Sequence, residues 1–325
     1  MRLRLALLGL FCSFLLVSCV EHDNLAIQRL DQQLFAAKSP DSVRAFLNRN
    51  PAVAQLYFNA NGAGNDTALV SELTNRISNP ALNELYQQVQ VEFGDLSDLN
   101  SQLSEAFANI KKDFPDFRKP KVATLVTGLN LGPDLVITDS LIVIGLDYFV
   151  GPRAKFRPQG AQYPQYILRR YQKEYIVPAI VFALSDKYNA TNRADQTMLA
   201  DMVYYGKGYV FTKTILPEVA DSLVIGYSDT QLTETFNAQD IVWAHFIDKQ
   251  LIYQTNPAIK GRYLNERPFT AEIGQRCPGA IGRWVGWRIV GRYHDEHDDV
   301  SIADLMRNSD ARQIFEQSGY KGQIE

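Results

Sequence analysis

Val122-Ala123-Thr124-Leu125-Val126-Thr127 is rich in β-branched residues, and Leu141-Ile142-Val143-Ile144-Gly145-Leu146 answers it with a short apolar run centred on Val and Ile. Both read as buried strands. Between them Asn130 to Pro133 supplies turn residues, and Leu135 to Thr138 offers a third short strand. The flanking sequence on both sides reads as helix, so these few residues decide the fold class: α+β, mainly helical, with a small central sheet wedged between helical layers. Asp139 to Gly145 is partly echoed by Asp221-Ser222-Leu223-Val224-Ile225-Gly226, an echo too short to mark an internal duplication.

Upstream of the strands the spacing predicts a helical layer. Leu25, Leu30, Leu34 and Phe35 place a first helix almost at the start of the mature chain, and Asp41 is the expected N-cap of a second through Val43, Phe46 and Leu47, which Pro51 ends or restarts. Asn59 to Asn65 is a loop. Asn79-Pro80 opens a helix through Leu82, Leu85 and Val89, and Asp98 is the expected cap of another through Leu103, Phe107 and Ile110, stopped at Pro115. Downstream, Tyr163 to Leu184 is expected as one long apolar helix kinked at Pro178. Gln196 to Leu216 forms another, stopped by Pro217. Asn237 caps a third through Trp243, Phe246 and Ile252, Pro278 opens the last long one, and two short amphipathic pieces follow to Phe315.

The N-terminus sets location. Arg2 and Arg4 precede a nearly unbroken apolar run, Leu5 to Val17, and Leu16-Val17-Ser18-Cys19 has the pattern that lipoprotein signal peptidase cuts before an acylated cysteine. The expectation is a signal peptide over 1–18, a lipidated Cys19 with a short tether over 19–26, and a single domain over 27–325. More than one acyl chain on Cys19 would make membrane lipid its first partner, because a single chain binds only marginally. No Asp follows Cys19, so outer-membrane sorting is expected within the cell envelope. With the leader removed, 33 Lys and Arg against 36 Asp and Glu become 31 against 36, a net charge of −5 with no basic tract, which disfavours nucleic acid. Cys12 leaves with the leader and Cys19 carries lipid, so Cys277 stands alone and no intramolecular disulfide is expected.

Few constellations point to chemistry. Gly206-Lys207-Gly208 lacks the upstream Gly and the following Ser or Thr of a phosphate loop. His294 and His297 could share a helix face, but carboxylates surround them and no third histidine or cysteine is near, so a solvated helix end is expected and no metal. Cys277 has no neighbouring base. The strongest pattern is Pro278-Gly279-Ala280-Ile281-Gly282-Arg283-Trp284-Val285-Gly286-Trp287-Arg288-Ile289-Val290. Gly279, Gly282 and Gly286 line one helix face at about 1 kcal/mol each relative to alanine, which implies another backbone close against it. Trp284, Trp287, Arg283 and Arg288 occupy the other sides, either as tight packing or as groups that stack and grip a carboxylate.

These residues carry a resemblance to the gliding-motility lipoproteins called GldB. It runs along nearly the whole mature chain through Ile27-Gln28-Arg29-Leu30-Asp31, Thr138-Asp139-Ser140-Leu141 with Gly145-Leu146-Asp147-Tyr148, Met202-Val203-Tyr204-Tyr205-Gly206-Lys207, and Pro278 to Trp287. The resemblance implies an envelope component of the motility apparatus and the coupled protein-secretion system, with other envelope proteins of that machinery as partners and no catalytic residue or cofactor. A weaker resemblance, to zincin metallopeptidases, sets Lys173-Glu174-Tyr175-Ile176-Val177 against His-Glu-x-x-His and Tyr204-Tyr205-Gly206 against a downstream acid-bearing motif. Lys173 and Val177 cannot hold zinc, so that resemblance implies a zincin-like scaffold without its metal site. A non-enzymatic scaffold is therefore the leading expectation. The alternatives are a divergent peptidase using Glu174 as base, or an envelope small-molecule binder using the Arg and Trp residues of the last long helix.

Overall fold

The computed structural model describes residues 25–60, 62–129 and 131–323. Helices α1 (Leu30–Ala36), α2 (Pro40–Arg49), α3 (Pro51–Leu56), α4 (Thr67–Ile77), α5 (Pro80–Phe93) and α6 (Ser97–Asp113) come first. Strands β1 (Lys121–Leu125), β2 (Leu135–Ile137) and β3 (Leu141–Gly145) follow. The remainder is helical: α7 (Gln165–Leu168), α8 (Ile176–Ser185), α9 (Met198–Ile215), α10 (Asp221–Ile225), α11 (Asp229–Asn237), α12 (Gln239–Asp248), α13 (Pro257–Leu264), α14 (Ile281–Asp295), α15 (Ile302–Arg307) and α16 (Ala311–Ser318). The mainly helical α+β class is what the sequence predicts.

The sheet has the order β1-β3-β2, with β1 parallel to β3 and β2 antiparallel to it. β3 is buried along its whole length, which is why it reads as an unbroken apolar run. β1 meets α1 on one side of the sheet, and β2 meets α8 on the other. Buried apolar side chains from Leu30 to Tyr320 form one connected cluster. α9 runs through its middle, buried on nearly all sides and touching α6, α8, α10, α14, α15 and α16. Among the described residues no helix is long and apolar enough to cross a membrane. Cys19 lies outside the described residues.

Local structure departs from the sequence expectations where extended pairing or a cap intervenes. The first helix begins at Leu30 rather than near Leu25, because Gln28 bridges to Ala123 with Gln28 N donating to Val122 O at 2.8 Å. Ser39, not Asp41, caps α2, in a reciprocal capping box with Ser42 and with Pro40 in the first turn. Asp98 sits inside the first turn of α6, behind a left-handed Leu96. Asn79 caps α5 as expected. The long kinked helix over 163–184 does not form: Gln172 is extended and bridges to Val150, which separates α7 from α8 and leaves Pro178 in the first turn of α8, where no intrahelical N–H is needed. Asn237 ends α11 instead of capping α12. Pro278 lies in a turn ahead of α14, which starts after Ala280 at φ 57°.

Candidate functional site

Gly206-Lys207-Gly208 serves three different neighbours from one turn of α9. A Cβ on Gly206 would run into the backbone carbonyl of Gly286, and one on Gly286 into that of Met202, so α9 and α14 meet backbone to backbone. Gly208 leaves room for the ring of Phe182 on α8, 2.7 Å from where its Cβ would stand. Lys207, 1% exposed, donates to the carbonyls of Ala190 at 2.7 Å, Asn308 at 2.8 Å and Met306 at 3.3 Å. Burial draws its ammonium down to about 8.

The glycines of the α14 region do not share one partner. Gly286 faces α9, whereas Gly282 faces the end of α13, with Leu264 Cδ2 at 3.0 Å and Tyr263 O at 3.2 Å from a built Cβ. Gly279, outside the helix, lies against the backbone of Arg267. That turn is tied down by Tyr227 Oη donating to Gly279 O at 2.9 Å and Thr270 Oγ1 to Pro278 O at 2.7 Å. Trp284 is 1% exposed in the core, Trp287 lies 5.3 Å from the ring of Tyr209, and Arg288 sits 5.2 Å over Phe236. Arg283 lines a cavity together with other charged groups.

Arg283 Nε donates to Leu264 O at 2.6 Å, its Nη1 reaches Glu266 Oε1 at 3.2 Å, and its guanidinium lies 4.3 Å over the ring of Tyr205. Arg170, from the turn after α7, grips the same carboxylate with both prongs, Nη1 to Oε1 at 3.0 Å and Nη2 to Oε2 at 2.9 Å. Burial pushes the Glu266 carboxyl up, but the two guanidiniums outweigh it and hold the group below the ordinary glutamate value. Burial would lower Arg170, yet Glu266 holds it above its ordinary value. Gly226 ends α10 at φ 78°, and its carbonyl accepts from Arg169 Nη2 at 2.9 Å and Arg170 Nε at 3.3 Å. Only glycine suits that place, since a Cβ would enter the Arg170 guanidinium.

These groups border a cavity of about 350 Å³ whose walls include Tyr171, Tyr175, Phe182 and Tyr209, with Asp134 among its lining residues. Burial pushes Tyr209 up to about 12, against the pull of Arg283. Local sequence points to Arg283 but not to Arg170 or Glu266, and its apolar spacing assigns Tyr171 and Tyr175 to a core helix. The signal was the Arg169-Arg170 pair inside an aromatic-rich stretch, charges unsuited to a buried helix face.

The other candidates fall elsewhere. Glu174 lies exposed in a short 3₁₀ turn beside Lys173, which pairs with Glu92 at 3.1 Å, while Val177 is 1% exposed in α8. Lys173 and Val177 thus point apart rather than forming one helix face. His297 has left α14, stacking on Tyr293 with Nδ1 2.7 Å from its carbonyl. Among the described residues no group of three or more His, Cys, Asp or Glu is placed to hold a metal. Cys277 is a free thiol that burial pushes up to about 12, which suppresses the nucleophilic thiolate.

The remaining blocks behind the resemblance are clamps. Asp31, fully buried, accepts from both prongs of Arg29 at 3.1 and 2.9 Å, from Thr124 Oγ1 at 2.6 Å and from Gln90 Nε2 at 3.1 Å, joining α1, β1 and α5. Asp147 Oδ2 accepts the backbone amides of Thr127, Gly128 and Leu129 at 3.2, 2.7 and 2.9 Å. Tyr148 Oη donates to the carbonyls at Leu129 and Gly132, fixing the far side of that loop.

A family model described as gliding motility protein GldB matches residues 17–322. No curated protein and no solved structure matches the chain. The blocks that carry the likeness contribute to a single core, the match extends over nearly the whole chain, and the chain belongs to the gliding motility protein GldB family.

Proposed function

We propose that this protein is a lipid-anchored, non-enzymatic component of the gliding-motility and coupled secretion machinery, held to the outer membrane through acylated Cys19 and working by binding other envelope proteins. The family match from residue 17 to residue 322 carries the reading, since its description is of a motility component. Support for a scaffold over an enzyme comes from how the buried charges are used. Asp31, Glu266 and Lys207 are each engaged by protein donors or acceptors that tie separate elements together. Groups held this way rigidify a fold, whereas a general base needs a free lone pair within reach of substrate.

Two variants test the reading. Cys19→Ala should leave an uncleaved or mislocalised precursor and abolish motility; normal membrane fractionation with normal motility removes the anchor from the proposal. Glu174→Gln should support motility at normal protein abundance. A well-folded, abundant Glu174→Gln protein that cannot support motility would overturn the scaffold reading in favour of a peptidase.

A further inference from the structure

We propose that the cavity bounded by Arg170, Arg283 and Glu266 binds a carboxylate-bearing ligand with an apolar or aromatic body, of amino-acid to short-peptide size. The inference goes beyond the scaffold reading and does not depend on it.

Two guanidiniums that line the cavity, those of Arg170 and Arg283, share the one carboxylate of Glu266. That corner is left locally positive, with Asp134 as the second carboxylate of the lining, so it favours the carboxylate end of a ligand whose other polar group is a donor.

The walls then choose the body. Tyr171, Tyr175, Phe182 and Tyr209 present ring surface around about 350 Å³, near the lower end of ordinary small-ligand pockets. That volume admits one bulky side chain with its backbone. Asp134 selects charge type: a phosphate dianion would meet two carboxylates, Glu266 and Asp134, whereas a monoanion meets the arginines and can offer a donor to Asp134. Tyr171, whose hydroxyl burial and the neighbouring Asp134 push upward, stays a neutral donor at that end.

Such a carboxylate comes from a free small molecule or from the C-terminus of a protein partner. Calorimetric titration of the full-length purified protein separates them, using N-acetyl-phenylalanine, its carboxamide, free phenylalanine, a hexapeptide ending in phenylalanine, and inorganic phosphate. The carboxylate probes should bind, the carboxamide at least about tenfold more weakly, and phosphate should not compete. A hexapeptide binding more tightly than the amino-acid probes assigns the site to a partner's C-terminus; the reverse assigns it to a small molecule. Ala179→Phe fills the cavity from an exposed helix position, and should abolish binding with an unchanged melting temperature. Arg170→Lys keeps the charge but loses the planar fork that holds Glu266 and sets the guanidinium at the cavity wall, and should weaken binding about tenfold or more. The proposal is overturned if no carboxylate probe binds up to roughly millimolar concentration, or if binding survives Ala179→Phe.

Discussion

Three glycines of α14 make one experiment, because identical substitutions at Gly282, Gly286 and Gly291 should give three different outcomes. Helix propensity favours alanine over glycine by about 1 kcal/mol at each. At Gly291 a Cβ meets nothing within 4 Å, so Gly291→Ala should stabilise by about 1 kcal/mol. At Gly282 the new atom would stand 3.0 Å from a flexible leucine methyl and 3.2 Å from the Tyr263 carbonyl. A shift of a few tenths of an ångström relieves that, leaving Gly282→Ala within about 1 kcal/mol of wild type. At Gly286 the atom would enter the Met202 carbonyl, which belongs to α9 and cannot rotate away. The helices must separate, at a typical overpacking cost of about 1–3 kcal/mol set against the propensity gain. Gly286→Ala should therefore be less stable than Gly291→Ala by roughly 1–3 kcal/mol, or several degrees in melting temperature. Thermal and urea unfolding followed by circular dichroism measure the order, and tryptophan fluorescence adds a local reading because Trp287 lies against Tyr209. Gly206→Ala strains the same contact from the other helix, so the double variant should cost less than the sum of the singles. Equal stability of the Gly286 and Gly291 variants would falsify the backbone-contact reasoning.

Other perturbations probe the buried charges. Lys207→Met should destabilise by about 1–2 kcal/mol at neutral pH, since it strips a donor from the Ala190 and Asn308 carbonyls while removing the cost of burying a charge. The folded ammonium titrates near 8 against 10.5 in the unfolded chain, so its burial cost is full below pH 8 and is relieved as pH rises toward 10.5. Wild type should gain stability relative to Lys207→Met across that window, and parallel curves would contradict the assignment. Asp147→Asn should cost about 1–3 kcal/mol in urea unfolding and speed hydrogen exchange at Gly128 and Leu129, whose amides lose a carboxyl acceptor. Glu266 has its folded value lowered, so its pairing contributes stability above its unfolded value of about 4.5 that disappears as pH falls through the folded one. Glu266→Gln should flatten that part of the acid-unfolding profile; an unchanged profile would show that the cluster carries no such linkage.

The sequence by itself determined what depends on neighbours a few residues apart. The strands are recoverable because β3 is buried along its whole length and β1 at every position after Lys121, which leaves short apolar, β-branched runs. The Asn79-Pro80 start of α5 is recoverable because cap and proline act within one turn. Glycine spacing in the α14 region announced a close backbone, since so many costly residues are rarely retained in a helix without a reason. Tertiary structure decided everything that rests on a partner far along the chain. Ser140 to Gly145 and Ser222 to Gly226 have nearly the same residues, yet one is strand, flanked by β1 and β2, and the other is helix, docked on α8 and α9. Extended pairing at Gln28 and Gln172 cut short two helices that periodicity had run through. The Arg170–Glu266–Arg283 cluster joins residues 96 and 17 positions apart, a juxtaposition set by the meeting of α7, α13 and α14 and written in no local spacing. Local propensity acts over one turn of chain, whereas ion pairs and backbone contacts between helices exist only after the core has brought those elements together.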